Sequence, residues 1–291
     1  MTSANLLFTP SLTPLQLDAQ YNARPRVPEF AQHVARWQAD SAQARASGRG
    51  QLGLRYGPAP GETLDVFPAD RPRAPVLVFI HGGYWRSMDK SDHSFIAPAF
   101  NQAGATVVIP NYDLCPAVTI PDITLQMVRA LAWTWRHVAE HGGDPRRISV
   151  AGHSAGGHLA AMMLACYWQQ VDASLPSDLV THALSISGLY DLEPLRQAPS
   201  FQADLRLTPD DALRASPARL PAPRLGRLDA VVGGLESEEF LRQTRAIRQL
   251  WGEARVPVCE ALEGRNHFSV LESLAQPGSR LHSLALGMLG L

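Results

Sequence analysis

Short apolar runs alternate with longer stretches of helical periodicity over most of the chain. Residues 51–56 and 62–67 flank a turn at Pro58–Gly61 and predict a β-hairpin. Residues 76–80 form an unbroken apolar run, the signature of a strand covered on both faces. Further strands are expected at 106–109, 147–151, 183–187, 228–232 and 256–261. Between them, helices are expected at 91–102, 122–140, 155–169 and 237–251, and from Ser269 onward. Such a βα series predicts an α/β fold: one mostly parallel central sheet with helices on both faces.

Two regions break the rhythm. Residues 1–50 are rich in Pro, Gln, Ala and Arg, with Pro10, Pro14, Pro25 and Pro28 interrupting the first part and a helix expected over 29–46. They read as an N-terminal extension draped over a main domain at 51–291. Within that domain, residues 192–227 hold six prolines between two expected strands and read as a small inserted cap.

Composition narrows the class. The chain has 291 residues, 45% of them hydrophobic and 18% charged, which suits a globular domain with a sizeable core. A net charge of −1 leaves no electrostatic footprint for nucleic acid or anionic lipid. Arg206, Arg214, Arg219, Arg224 and Arg227 are interspersed with Asp204, Asp210 and Asp211, the mark of a solvated surface. The start, MTSANLLFTPSLTP, lacks the pattern of a secretory leader, and no apolar stretch approaches a bilayer span. Three cysteines, Cys115, Cys166 and Cys259, show no metal-ligand spacing, and Cys166 is expected to pack in a helix. These features favour the cytoplasm, a small-molecule substrate, and neither nucleic acid nor membrane as partner. The oligomeric state stays open, with a homodimer among the options.

Three motifs fall where such sheets collect their reactive groups, beyond the carboxyl ends of strands. Gly152-His153-Ser154-Ala155-Gly156 follows an apolar run and opens a helical one. A serine on that turn has its Oγ aimed outward and is backed by helix N-terminal N–H groups, which fits a nucleophile rather than a tight structural turn. His81-Gly82-Gly83 ends an earlier strand, so the amides of Gly82 and Gly83, with that of Ala155, are candidates to hold a developing oxyanion. His81 itself reads as a loop-stabilising residue. His267, in the loop after the last strand, is the candidate base among ten histidines; His153 and His158 are expected to point elsewhere. For the acid, Glu236 follows the preceding strand, whereas Asp229 stands at that strand's start, the wrong end. The chain order is thus Ser154, Glu236, His267, and this chemistry needs neither a metal nor an organic cofactor.

With these residues in view, the chain resembles the kynurenine formamidase (arylformamidase) branch of the α/β-hydrolases, related to hormone-sensitive-lipase-like esterases. The resemblance rests on QYNARPRVPEF near the start, HGGYW at 81–85, GHSAGGHLAAM at 152–162, SGLYDLEPL at 187–195, LRASP at 213–217, ESEEFLRQ at 236–243 and NHF at 266–268. It implies the same triad of Ser154, Glu236 and His267, the same oxyanion groups, and hydrolysis of N-formyl-L-kynurenine to formate and kynurenine. Animal formamidases carry Asp where this chain has Glu236, which implies a bacterial-type relative and leaves the substrate open. Tyr84, Trp85, Tyr190 and Phe268 are candidate aromatic walls for an aryl group. No residue of the sequence stands out to pair an amino-acid carboxylate. The runner-up is a carboxylesterase for short-chain or aryl esters, and a non-catalytic binding protein on the same fold is the third reading. A histidine base must be neutral to act, so turnover is expected to climb across about pH 6 to 7; a flat pH–rate profile there would count against any histidine base.

Overall fold

The computed structural model describes residues 12–291. Pro10 and most of the stretch tested for a secretory leader lie outside the described residues. Among those described, eight strands form one sheet: β1 (Gln51–Arg55), β2 (Thr63–Phe67), β3 (Ala74–Ile80), β4 (Thr106–Pro110), β5 (Gly143–His153), β6 (His182–Ile186), β7 (Arg227–Gly233) and β8 (Val258–Leu262). Their order is β1-β2-β4-β3-β5-β6-β7-β8. The first hairpin is antiparallel and β2 runs antiparallel to β4; every pairing from β4 to β8 is parallel.

Side chains of one strand point alternately to opposite faces, and here both faces are apolar. Val76, Val78 and Ile80 enter one core, while Leu77 and Phe79 enter the other. Val108 opposes Val107 and Ile109 in the same way, and Ala230 and Val232 oppose Val231. The first core is closed by α4 (Ile120–His137), α5 (Ala155–Leu164) and α10 (Glu238–Trp251). The second is closed by α2 (Phe30–Ala46), α3 (Ala97–Gln102), α11 (Ser269–Leu274) and α12 (Arg280–Leu289). The expected α/β-hydrolase architecture is therefore present, with the sheet separating two apolar layers. Among the described residues, no helix is long and apolar enough to cross a membrane.

Several boundaries differ from the sequence reading, each for a local reason. The helix expected at 122–140 starts at Ile120, because Thr119 and Asp122 form a reciprocal capping box. The helix expected at 155–169 ends at Leu164; the chain then turns to bury Trp168 in the separate short helix α6 (Trp168–Val171). The helix expected from Ser269 onward is two helices. Pro277 and Gly278, the latter at φ 83°, break it, and Ser279 caps the second piece. Residues 90–96 form a 3-10 helix before α3, where one continuous helix was expected.

The segment before β1 does more than drape over a finished core. Thr13 caps α1 (Pro14–Tyr21), and Tyr21 at its end is sealed, donating its hydroxyl to Glu239 on α10 at 2.7 Å. Trp37 of α2 is equally buried, beneath Phe95 and beside His153 and Phe268. Between β6 and β7 stand α7 (Glu193–Arg196), α8 (Pro199–Leu205) and α9 (Pro209–Arg214), which bury Leu195, Phe201 and Leu205. The five arginines of this stretch are exposed, as expected of a solvated surface.

Burial makes the interior sensitive to acid. His81, His93, His153 and His158 are sealed, and desolvation lowers the pKa of each, to about 3 for His93 and about 4 for His158. On unfolding, each regains an ordinary value near 6.5, so below that pH the unfolded chain binds more protons and stability falls. Thermal melts are expected to show Tm decreasing from pH 6.5 towards pH 4. His158→Gln, which retains a donor for the Ala215 carbonyl, is expected to flatten part of that slope.

Candidate active site

Ser154 joins β5 to α5 with φ 56° and ψ −118°, a backbone region that costs a side-chain-bearing residue about 1–3 kcal/mol. Two glycines make the turn sterically possible. A Cβ on Gly156 would lie 2.0 Å from the Ile80 carbonyl oxygen, and one on Gly152 would lie 2.1 Å from the Gly156 carbonyl oxygen. The Ser154 N–H donates to the Ile186 carbonyl at the end of β6, at 2.8 Å. The turn is thereby pinned to the neighbouring strand, and the serine faces a cleft that His153, His267 and Phe268 also line.

His267 and Glu236 reach the same place from the ends of β8 and β7. His267 Nδ1 lies 2.6 Å from Glu236 Oε2, with both side chains buried. Glu236 is held in turn: its Oε1 accepts the Gly233 N–H at 2.7 Å and the Ser187 hydroxyl at 2.5 Å. A neutral ring that gives its Nδ1 proton to a carboxylate presents a bare Nε2, the form a general base requires. Ser154 and His267 line one cleft, although among the described residues no hydrogen bond joins Ser154 Oγ to His267 Nε2. Asp229, by contrast, sits at the start of β7 with one oxygen buried and unpaired, away from His267.

His153 was expected to point elsewhere, yet it couples the two loops. Its Nε2–H donates to the main-chain carbonyl of His267 at 2.8 Å, and the two rings lie 4.8 Å apart. Desolvation holds its pKa well below the ordinary value, so the ring is neutral and has one N–H to give.

The loop after β3 runs beside the serine. A Cβ on Gly82 would stand 3.2 Å from that of Ser154, and one on Gly83 (φ 105°) would strike the Ser87 carbonyl at 2.1 Å. Tyr112 clamps this loop from behind. Its hydroxyl is 3.0 and 3.2 Å from the carbonyl oxygens of His81 and Gly82, and its ring stacks on His81 at 4.2 Å. His81 Nε2 lies 3.0 Å from Asn111 Oδ1, in keeping with a loop-stabilising residue. With the carbonyls tied back, the amides of Gly82 and Gly83 and the first amide of α5, on Ala155, take no partner among the described residues. They are the free donors beside Ser154.

Of the four aromatic residues expected to wall the site, Tyr84 and Phe268 line the cleft, whereas Trp85 and Tyr190 do not. Trp85 turns into the core at φ 55°, edge-on to His158 at 5.0 Å, and is fully buried. Tyr190 is also sealed, its hydroxyl donating to Ser185 at 2.7 Å. Their places are taken by Phe30 and Trp37 from the N-terminal segment and by Phe201 from α8. Arg24 and Arg86, which the sequence did not single out, also reach this cleft. The only hint in the sequence was that Arg24 and Phe30 fall within QYNARPRVPEF; nothing local says where that stretch docks. A wider surface groove along α2, past Arg36 and Asp40, contains neither Ser154 nor His267. Among the described residues, no group of three or more His, Cys, Asp or Glu side chains is arranged to hold a metal ion.

A parallel sheet with a serine elbow at its centre and a carboxylate–imidazole pair at its edge defines a class. The chain belongs to the alpha/beta hydrolase fold family, whose profile matches residues 77–268, and it is a hydrolase. Within that family it is similar along nearly its whole length to kynurenine formamidases. It is 29% identical to kynurenine formamidase of Danio rerio, across 96% of this chain and 98% of that protein. It is also 31% identical to Esterase LipC of Mycobacterium tuberculosis, over 79% of this chain and 62% of that one. Among solved structures, a protein of Silicibacter sp. tm1040 described as a thioesterase superposes with a TM-score of 0.82 at 32% identity, covering 92% of this chain and 98% of that one.

Removing the His153 ring is expected to free the His267 loop. His153→Ala should lower kcat on p-nitrophenyl acetate about tenfold, the scale of one lost buried hydrogen bond, in a protein that still melts cooperatively. Unchanged kcat would show that the loop holds its place without that contact.

Proposed function

We propose that the protein is a serine hydrolase that removes a formyl or other small acyl group from an aryl amide through an acyl-enzyme. The observation that carries this reading is the 2.6 Å pair of His267 and Glu236 in the cleft that also holds Ser154. In this mechanism His267 Nε2 takes the Ser154 proton as Oγ attacks the acyl carbon. The oxyanion is held by the amides of Gly83 and Ala155, with Gly82 beside them, each worth about 3 kcal/mol of barrier. Glu236 fixes the imidazole tautomer and stabilises the imidazolium. His267 then delivers its proton to the leaving nitrogen, the amine departs, and water attacks the acyl-enzyme with the same base. The aryl group rests against Phe30, Tyr84 and Phe268, and the segments at 12–50 and 192–227 act together as the cap over it.

Formamide is favoured as substrate by similarity to kynurenine formamidases along nearly the whole chain. An ester is the second reading, supported by similarity to mycobacterial esterases. The same machinery serves it, with an alkoxide as leaving group, and a thioester belongs in the same comparison.

Ser154→Ala is expected to abolish covalent labelling by a fluorophosphonate while leaving Tm unchanged; labelling that persists at another residue would overturn the nucleophile. Glu236→Ala is expected to reduce kcat by about 10³- to 10⁴-fold, by analogy with loss of a triad acid, and Asp229→Ala to change it little. Comparing kcat/KM on N-formyl-L-kynurenine, p-nitrophenyl acetate and a short acyl thioester decides the substrate class, with the formamide expected to lead.

A further inference from the structure

The cleft carries a cation that the chemistry at Ser154 does not use. Arg24 stands in the 3-10 turn Arg24–Arg26 between α1 and α2, at the rim. Its guanidinium carbon lies 4.8 Å from the centre of the Phe30 ring, and Phe30 lies 4.8 Å from Phe268 beside His267. Among the described residues no carboxylate pairs with Arg24, and residues 1–11 contain no Asp or Glu. Arg86, the other guanidinium on the cleft, is already committed: it donates to Asp204 at 2.6 Å and to the Ser200 carbonyl at 2.8 Å, and covers Phe201. No Asp or Glu is among the described residues that line the cleft. The wall is therefore apolar and aromatic with a positive rim.

A guanidinium offers a planar fork of donors matched to a carboxylate. Held on an aromatic face instead of in an ion pair, Arg24 needs to break no existing salt bridge when an anion arrives. We propose that Arg24 is the specificity residue for an anionic substrate, an aryl acyl-amide whose ring lies along Phe30 and Phe268 and whose amino-acid carboxylate binds Arg24. This rests on the reading of Ser154 as the nucleophile of an aryl-acyl hydrolase, and it names the substrate class of that site. It also supplies the carboxylate partner that the linear sequence did not reveal.

The test uses the full-length protein and two matched pairs of compounds. N-formyl-L-kynurenine and its carboxamide serve as substrates. L-kynurenine and its carboxamide serve as competitive inhibitors of p-nitrophenyl acetate hydrolysis. The wild type is expected to favour the carboxylate member of each pair by about tenfold, in KM and Ki rather than kcat, the scale of a charge-assisted contact at a solvent-exposed rim. Arg24→Gln should bring both ratios close to one, and Arg24→Lys should keep part of the preference. Arg49→Gln, at a surface arginine paired with Asp70, should keep all of it. A wild type without preference, or an Arg24→Gln variant that retains it, overturns the inference even where the formamide is cleaved. If neither formamide is cleaved but the inhibitor ratio still collapses in Arg24→Gln, the carboxylate site stands and the formamidase reading falls.

Discussion

The approach of α5 to the end of β3 sets the geometry of the whole cleft. The Ile80 carbonyl oxygen occupies the space that a side chain on Gly156 would need, so the helix begins against the strand with nothing between them. Ser154 is forced into its unusual backbone conformation at this point, and the first amide of α5 is brought beside the Gly82–Gly83 loop. The strain is offset by burial: Leu159, Ala160 and Met163 of α5 are sealed against the sheet. A turn so closely packed has little room to relax, which is what a pre-formed set of donors requires.

Parallel pairing of β7 with β8 does the same for the carboxylate and the imidazole. Gly233 stands opposite Leu262 at the strand ends, and the loops beyond stay stitched together, Gly234 N–H to the Leu262 carbonyl at 2.7 Å and Leu235 N–H to the Arg265 carbonyl at 2.9 Å. Glu236 and His267 leave the sheet side by side although 31 residues separate them. His153 ties this edge to the turn at Ser154, because its neutral ring reaches the His267 carbonyl from the adjacent residue. Strand ends, the turn at Ser154 and the His267 loop thus form one hydrogen-bonded frame.

The walls of the cleft come from elsewhere in the chain. The outer surfaces of the cleft are built by the turn between α1 and α2, by α2 and by α8. These segments are bound to the main domain and to each other. Tyr84 donates to the Tyr21 carbonyl, Arg86 pairs with Asp204, and Asp18 accepts from Ser200. The residues at the strand ends and the outer walls of the cleft therefore come from different parts of the chain.

That division explains how much was legible beforehand. The hairpin, the alternation of strands and helices, the elbow at Ser154 and the placing of Glu236 and His267 follow from local information: apolar runs bounded by turns, glycines at fixed offsets, and the rule that strand ends converge. Which of two adjacent aromatics faces the cleft is not local. Tyr84 and Trp85 both have positive φ, and Trp85 turns inward because His158 of α5 lies there to receive its edge. Tyr190 is likewise claimed by Ser185, and His153 by a carbonyl 114 residues away. Arg24, Phe30 and Trp37 reach the cleft because the N-terminal segment packs across the end of the sheet, an outcome of long-range burial. Patterning along the chain determined the scaffold and its reactive groups; packing between distant segments decided what surrounds them, because a side chain's direction depends on which neighbours fill the space on either side of it.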